Sequence, residues 1–183
     1  MIFSRFRRGA SPDTISTLYG MIVAQARLHV FYRDYAVADT VNGRFDLLVL
    51  HLSMVLGRLW QESEQAPVLK QLGQGIFDRF CQDMDGNLRE MGITDLKVPK
   101  EMGKIGEAFY GRAQAYQAAL DAPDDKALAD TIARNIYGGS SAEPAAVQRL
   151  AAYMRVAVGD LRMQNSASLA AGELRFPDPV AAV

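Results

Sequence analysis

The stretch FDLLVLHLSMVLGRLW, residues 45–60, decides the class of fold. Wound as a helix, it carries Phe45, Leu47, Leu48, Val49, Leu50, Leu52, Met54, Val55, Leu56, Leu59 and Trp60 on almost every side, so it must be surrounded by other elements. Asp46, His51, Ser53, Gly57 and Arg58 interrupt it, which leaves it short of the ~20 mostly apolar residues of a membrane-spanning helix. It reads as the central helix of a core, beginning near Asn42.

Working outward, the neighbouring segments supply helices to surround it. After the polar entry Ser11, Pro12, Asp13, apolar residues Ile15, Leu18, Ile22, Ala26, Val30 and Phe31 recur at helical spacing, predicting one helix over residues 14–35. Pro67 opens a stripe of Leu69, Leu72, Ile76, Phe80, Met84, Leu88 and Met91 that stops at Gly92, with Gly73 and Gly75 placed to bend its beginning. Pro99 opens another, with Met102, Ile105, Phe109, Ala113, Tyr116 and Leu120 on one face before the breaker at residues 121–125. Two further helices are expected over 125–137 and 144–169, separated by a turn at Tyr137-Gly-Gly-Ser-Ser, and Arg175-Phe-Pro-Asp-Pro closes the chain in extended or loose structure. No segment alternates with a period of two. The expectation is an all-α protein, a single compact bundle of about six helices, with a basic tail over 1–12, a helical domain over 13–172 and a C-terminal tail over 173–183.

A chain of 183 residues suits one domain, and its 49 % hydrophobic and 22 % charged content is that of a packed protein rather than a disordered one. A net charge of -1 gives no field to gather phosphates, which argues against DNA as a partner. The single Cys81 excludes an intrachain disulfide; its apolar neighbours suit a buried thiol in a reducing compartment. The start MIFSRFRRG lacks the apolar run of a secretory signal, so the expected location is cytoplasmic, with peripheral contact at the inner face of the cytoplasmic membrane as an extension. Ile2, Phe3 and Phe6 with Arg5, Arg7 and Arg8 suit an anionic membrane or ribosomal RNA, and equally a frayed, solvated terminus.

Chemistry-bearing patterns fail one by one. Gly73-Gln-Gly75 lacks the third glycine and the preceding strand of a dinucleotide fingerprint. Asp83, Asp85 and Asn87 alternate as in a calcium loop, but Gly86 falls too early and Thr94 stands where the closing Glu belongs. On a helix, Arg79 with Asp83 and Asp85 with Arg89 are instead i,i+4 pairs on a solvated face. His29 and His51 stand alone, outside any metal-ligand spacing, and read as structural. No cofactor is expected.

The segments Phe77-Asp-Arg-Phe80, Asp83-Met-Asp-Gly-Asn-Leu-Arg-Glu-Met-Gly92, Asp95-Leu-Lys-Val-Pro-Lys100 and Ala108-Phe-Tyr-Gly-Arg112 with Tyr116 resemble the signature region of ubiquinol-cytochrome c chaperones, as do Phe45-Asp-Leu-Leu-Val-Leu-His51 and Arg58-Leu59 upstream. The resemblance covers roughly residues 18–137. It implies a non-enzymatic assembly chaperone for ubiquinol-cytochrome c reductase, respiratory complex III, that binds newly made cytochrome b or an early complex III intermediate. It also implies action near the ribosome with a small partner protein, as in mitochondrial relatives. The chain begins almost directly at its first helix, which is more like a bacterial member.

Asp83, Asp85, Asn87, Arg89, Glu90, Asp95, Lys97 and Lys100 match the signature, and the resemblance implies partner contact through them. Capping and pairing around the 92–99 turn explains them equally well. Lys97 and Lys100 near a helix start oppose its dipole, which favours a partner surface there. Two other readings are a helical protein holding a quinone or lipid beside residues 45–60, and an enzyme using Cys81 with a distant histidine.

Overall fold

The structure, a computed structural model, describes residues 10–61, 64, 66–139 and 143–181. Among these it holds eight helices: α1 (Pro12–Ala26), α2 (Val30–Arg33), α3 (Val41–Gln61), α4 (Pro67–Glu90), α5 (Val98–Asp121), α6 (Asp125–Ile136), α7 (Pro144–Met163) and α8 (Ser166–Ala170). Six have twelve residues or more, and α2 and α8 are single turns, so the all-α bundle of about six helices is what forms.

Helix α3 is central as expected. Leu47, Val49, Leu50, Leu52 and Leu56 are fully buried, and it packs on α1, α4, α5, α6 and α7. Its two buried polar side chains are satisfied internally. Arg58 donates from Nε to Leu161 O at 3.0 Å and from Nη2 to Gln164 O at 3.1 Å, closing the carbonyl end of α7 with a charge that complements its dipole. His51 accounts for the other, below.

The first helix is shorter than the sequence suggests. Arg27 leaves helical geometry, and the chain turns through Leu28 and His29 into α2. The turn brings Phe31, Tyr35 and Val37 into the core, all at 2 % exposure or less. Burial of these side chains overrides the local helix propensity of the segment. Likewise the helix expected over 144–169 breaks at Gln164 and restarts as α8, whose N-cap Asn165 accepts from Ala167 N at 2.7 Å.

Helix α4 runs uninterrupted through glycines 73 and 75. A Cβ at Gly73 would lie 2.8 Å from Trp60 Nε1, and one at Gly75 only 2.3 Å from Ile15 Cδ1, so these residues let α3 and α1 approach. Gly92 stops α4 as expected: at φ +84° it closes a Schellman cap, Ile93 N donating to Leu88 O at 3.0 Å and Gly92 N to Arg89 O at 2.9 Å.

The C-terminal segment is extended but not loose. Leu174 and Pro179 are buried, Tyr35 Oη donates to Pro179 O at 2.6 Å, Gln25 Nε2 reaches Pro177 O at 3.3 Å, and Phe176 packs edge-on to His51 at 5.5 Å. Residues 174–179 form a strap over the aromatic cluster of Phe31, Tyr35, His51 and Tyr153. The basic and aromatic residues of the N-terminal tail, 1–9, lie outside the described residues, as do Ser140 and Ser141 of the expected turn.

Candidate functional site

Much of the distinctive sequence builds the frame. Asp46 and Arg112 pair at 2.9 Å between α3 and α5, the Arg112 guanidinium lies 5.5 Å over the Phe45 ring, and Phe77, Phe80 and Phe109 stack where α4 meets α5. Burial pushes the Asp46 carboxyl up, and Arg112 opposes this. Asp83 accepts from Tyr19 Oη at 2.8 Å, tying α4 to α1. Where the sequence suggests an Arg79–Asp83 pair, the Arg79 guanidinium lies 5.5 Å over that same Tyr19 ring. Burial, and then the bond to Asp83, raise the Tyr19 phenol far above its ordinary value.

Arg89 closes the end of α4. Its Nε donates to Asp85 Oδ2 at 2.6 Å, its Nη2 to Asp85 Oδ1 at 3.4 Å, and its Nη1 bonds Asp95 across the turn. Arg89 and Asp85 hold each other ionised, the guanidinium raised and the carboxyl lowered by their shared hydrogen bond. Lys97 and Lys100 are exposed at the start of α5; with Lys104, whose 2.8 Å bond is the main cause, they hold the Glu101 carboxyl below its usual value. Of the eight signature polar residues, Asp83, Asp85, Arg89 and Asp95 are thus engaged within the chain.

Asn87 and Glu90 differ. They line a half-open groove of about 540 Å³ between the end of α1, the start of α3, the end of α4 and α5. Val23, Phe45, Leu48, Met84, Leu88 and Ile105 form its walls, while Arg27, Asn42 and Arg44 add polar groups. Val41 and Met91 stand on its rim and are 69 % and 65 % exposed. The sequence stripe aims Met91 at the core; α4 instead ends at Glu90 and leaves Met91, its C-cap, exposed. Arg27, Val41 and Arg44 carried no sequence signal, since they come from separate segments that only the fold assembles.

The catalytic candidates are not set for chemistry. Cys81 is half-buried rather than fully buried, and burial together with Asp78 pushes its thiol up, away from the nucleophilic thiolate. His29 is exposed at the start of α2. His51 is fully enclosed: Nδ1 lies 2.8 Å from Leu47 O, which can only accept, so Nδ1 carries the proton and bare Nε2 accepts from Tyr153 Oη at 3.0 Å. The Tyr153 oxygen in turn accepts from Gln25 Nε2 at 3.0 Å. No group of acidic, histidine or cysteine side chains able to hold a metal occurs among the described residues, and Asp83, Asp85 and Asn87 lie along a continuous helix.

Fold and site together define an all-α protein whose main feature is an apolar groove with an exposed apolar rim. The chain belongs to the ubiquinol-cytochrome c chaperone family, whose model matches residues 33–176, from α2 to the strap. It is 41 % identical to the Cbp3 homolog from Brucella abortus, a crystal structure aligning over 93 % of this chain and 92 % of that one with a TM-score of 0.84. It is also similar to ubiquinol-cytochrome c reductase complex assembly factor 1 of Xenopus laevis, 26 % identical over 75 % of this chain and 67 % of that protein. The Mus musculus protein of the same name is 24 % identical over 87 % of this chain and 53 % of its own length. The matched stretch therefore spans about half to two thirds of these animal relatives.

Proposed function

We propose that this protein is a non-enzymatic assembly chaperone for ubiquinol-cytochrome c reductase that holds newly made cytochrome b, or an early intermediate containing it, in the groove between α1, α3, α4 and α5. One observation carries the reading: a well-filled bundle leaves apolar walls open there and exposes Val41 and Met91 on the rim. A folded protein presents such a surface to cover apolar surface on a partner. Family membership supports the identity of that partner. No helix among the described residues is long and apolar enough to cross a membrane.

The test is affinity capture from membranes solubilised in mild detergent, with the wild-type chain and with Val41→Glu/Met91→Glu. Both positions are exposed, so folding should hold within ~0.5 kcal/mol. Wild type is expected to enrich cytochrome b or other reductase subunits, and the variant to lose them. Equal capture by the variant would remove the groove from the account. The same consistent partner recovered from cells lacking cytochrome b would remove the client.

The groove also gives the quinone or lipid reading a concrete location, since it lies beside Phe45 and Leu48 and its volume is within the ~300–1,000 Å³ of small-molecule sites. A quinone or lipid retained in equimolar amount on the purified protein, with no reductase subunit captured, would favour that reading.

A further inference from the structure

We propose that the groove selects charge as well as apolarity, taking an apolar helical segment that carries carboxylates at the end lying against Arg27 and Arg44. The inference rests on the groove being the client site and goes further by naming what kind of segment fits it.

The lining is asymmetric: Arg27 and Arg44 stand against the one acid, Glu90. Arg44 stands in the first turn of α3 beside Val41 and Asn42, at one end of the groove, and Arg27, the C-cap of α1, lines it with them. That end is also the start of α3, whose first turn holds no acidic residue to offset its positive dipole. Arg27 makes no ion pair or side-chain hydrogen bond among the described residues. Arg44 pairs with Asp39 at 2.7 Å, but both are more than half exposed, so the pair is weak enough for a partner carboxylate to compete. Against an apolar wall that carboxylate would meet guanidinium at a lower dielectric than bulk water.

The walls say what else the partner must be. All are helices and offer no strand edge, so an extended peptide would leave its backbone N–H and C=O groups unpaired against Val23, Phe45, Leu48 and Met84, whereas a helix satisfies its own. Met84 and Met91 are flexible and polarisable, which suits an apolar face of varied shape. The exposed rim at Val41 and Met91 widens the apolar surface beyond the groove, as a helix ~10–12 Å across requires and a single acyl chain does not.

The experiment uses the purified full chain and three fluorescein-labelled synthetic helices with one shared leucine and alanine face, ending in three Glu, three Gln or three Lys. Anisotropy should show the Glu-ended helix binding at least about tenfold more tightly than the Lys-ended one, about 1.4 kcal/mol, with the ratio shrinking as salt is added. Arg27→Gln/Arg44→Gln should abolish the ratio without losing the Gln-ended helix, and Arg27→Glu/Arg44→Glu should invert it. Both positions are exposed, and the salt dependence of the wild type tests the claim without any variant.

Equal binding of Glu- and Lys-ended helices would overturn the proposal, as would a ratio unchanged in the arginine variants. Phosphatidylglycerol vesicles binding while no helix binds would overturn it in favour of a lipid. Cytochrome b capture that persists despite such a result would leave the chaperone function standing, whereas Met91→Glu leaving both capture and helix binding intact would sink the groove itself.

Discussion

His51 offers a quantitative test of how the core is built. Its ring is fully enclosed, and burial lowers its pKa from 6.5 to about 4, the hydrogen bond to Leu47 opposing this only in part. Below about pH 6.5 the unfolded chain binds a proton that the folded chain refuses until about pH 4, so stability must fall as the pH drops through that window and level off beneath it. At ~1.4 kcal/mol per pH unit, the loss between about pH 7.5 and about pH 4.5 is on the order of 2 to 3 kcal/mol. Urea unfolding of wild type and His51→Gln across that range isolates the ring. Paired carboxylates such as Asp85 and Glu101, held down by Arg89 and Lys104, titrate at the acid end in both proteins and cancel. Parallel stability curves for the two proteins would refute the buried neutral imidazole.

Ending the chain after Gly172 should lower stability by more than about 2 kcal/mol, because it removes buried Leu174 and the carbonyls that accept from Gln25 and Tyr35; thermal unfolding would show no change if the strap were loose. Tyr19→Phe and Asp83→Ala should each cost about 1.5–3 kcal/mol, and the double variant clearly less than their sum, since each removes one partner of the same hydrogen bond; strict additivity in a denaturant-based cycle would deny the α1–α4 tie. Lys97→Glu/Lys100→Glu should change stability by less than ~0.5 kcal/mol yet weaken capture of an acidic partner. A large stability loss would assign these lysines to structure through Glu101, and unchanged stability with unchanged capture would remove this turn from the binding surface.

The elements legible in the sequence are those whose cause is local. Helix α3 announces itself by apolar residues on every side, and α4 by its stripe and by Gly92 in a left-handed cap. What was hidden depends on distant partners. Nothing in Arg27-Leu28-His29 breaks a helix by itself; the break follows from Phe31 and Tyr35 being drawn towards Tyr153, over a hundred residues away. The strap reads as a proline-rich end because its anchors, Gln25 and Tyr35, lie at the opposite end of the chain.

The candidate groove was legible only in part. Asn87 and Glu90 come from a signature that is visible in sequence, but Asp83, Asp85, Arg89 and Asp95 in that same signature turn to neighbours inside the chain. Polarity on a helix face does not say whether a partner is internal or external. Arg27, Val41 and Arg44 become part of a site only when the turn after α1 and the start of α3 meet the end of α4.

The most direct test of the central claim is site-specific photo-crosslinking in cells that make the reductase. A photoreactive residue in place of Met91, on the groove rim, is compared with one in place of Met163, 87 % exposed at the end of α7 and outside the groove. A crosslink to cytochrome b is expected from position 91, absent from position 163 and lost when Val41→Glu is added. Crosslinks of equal yield from both positions, or from position 163 alone, would contradict it.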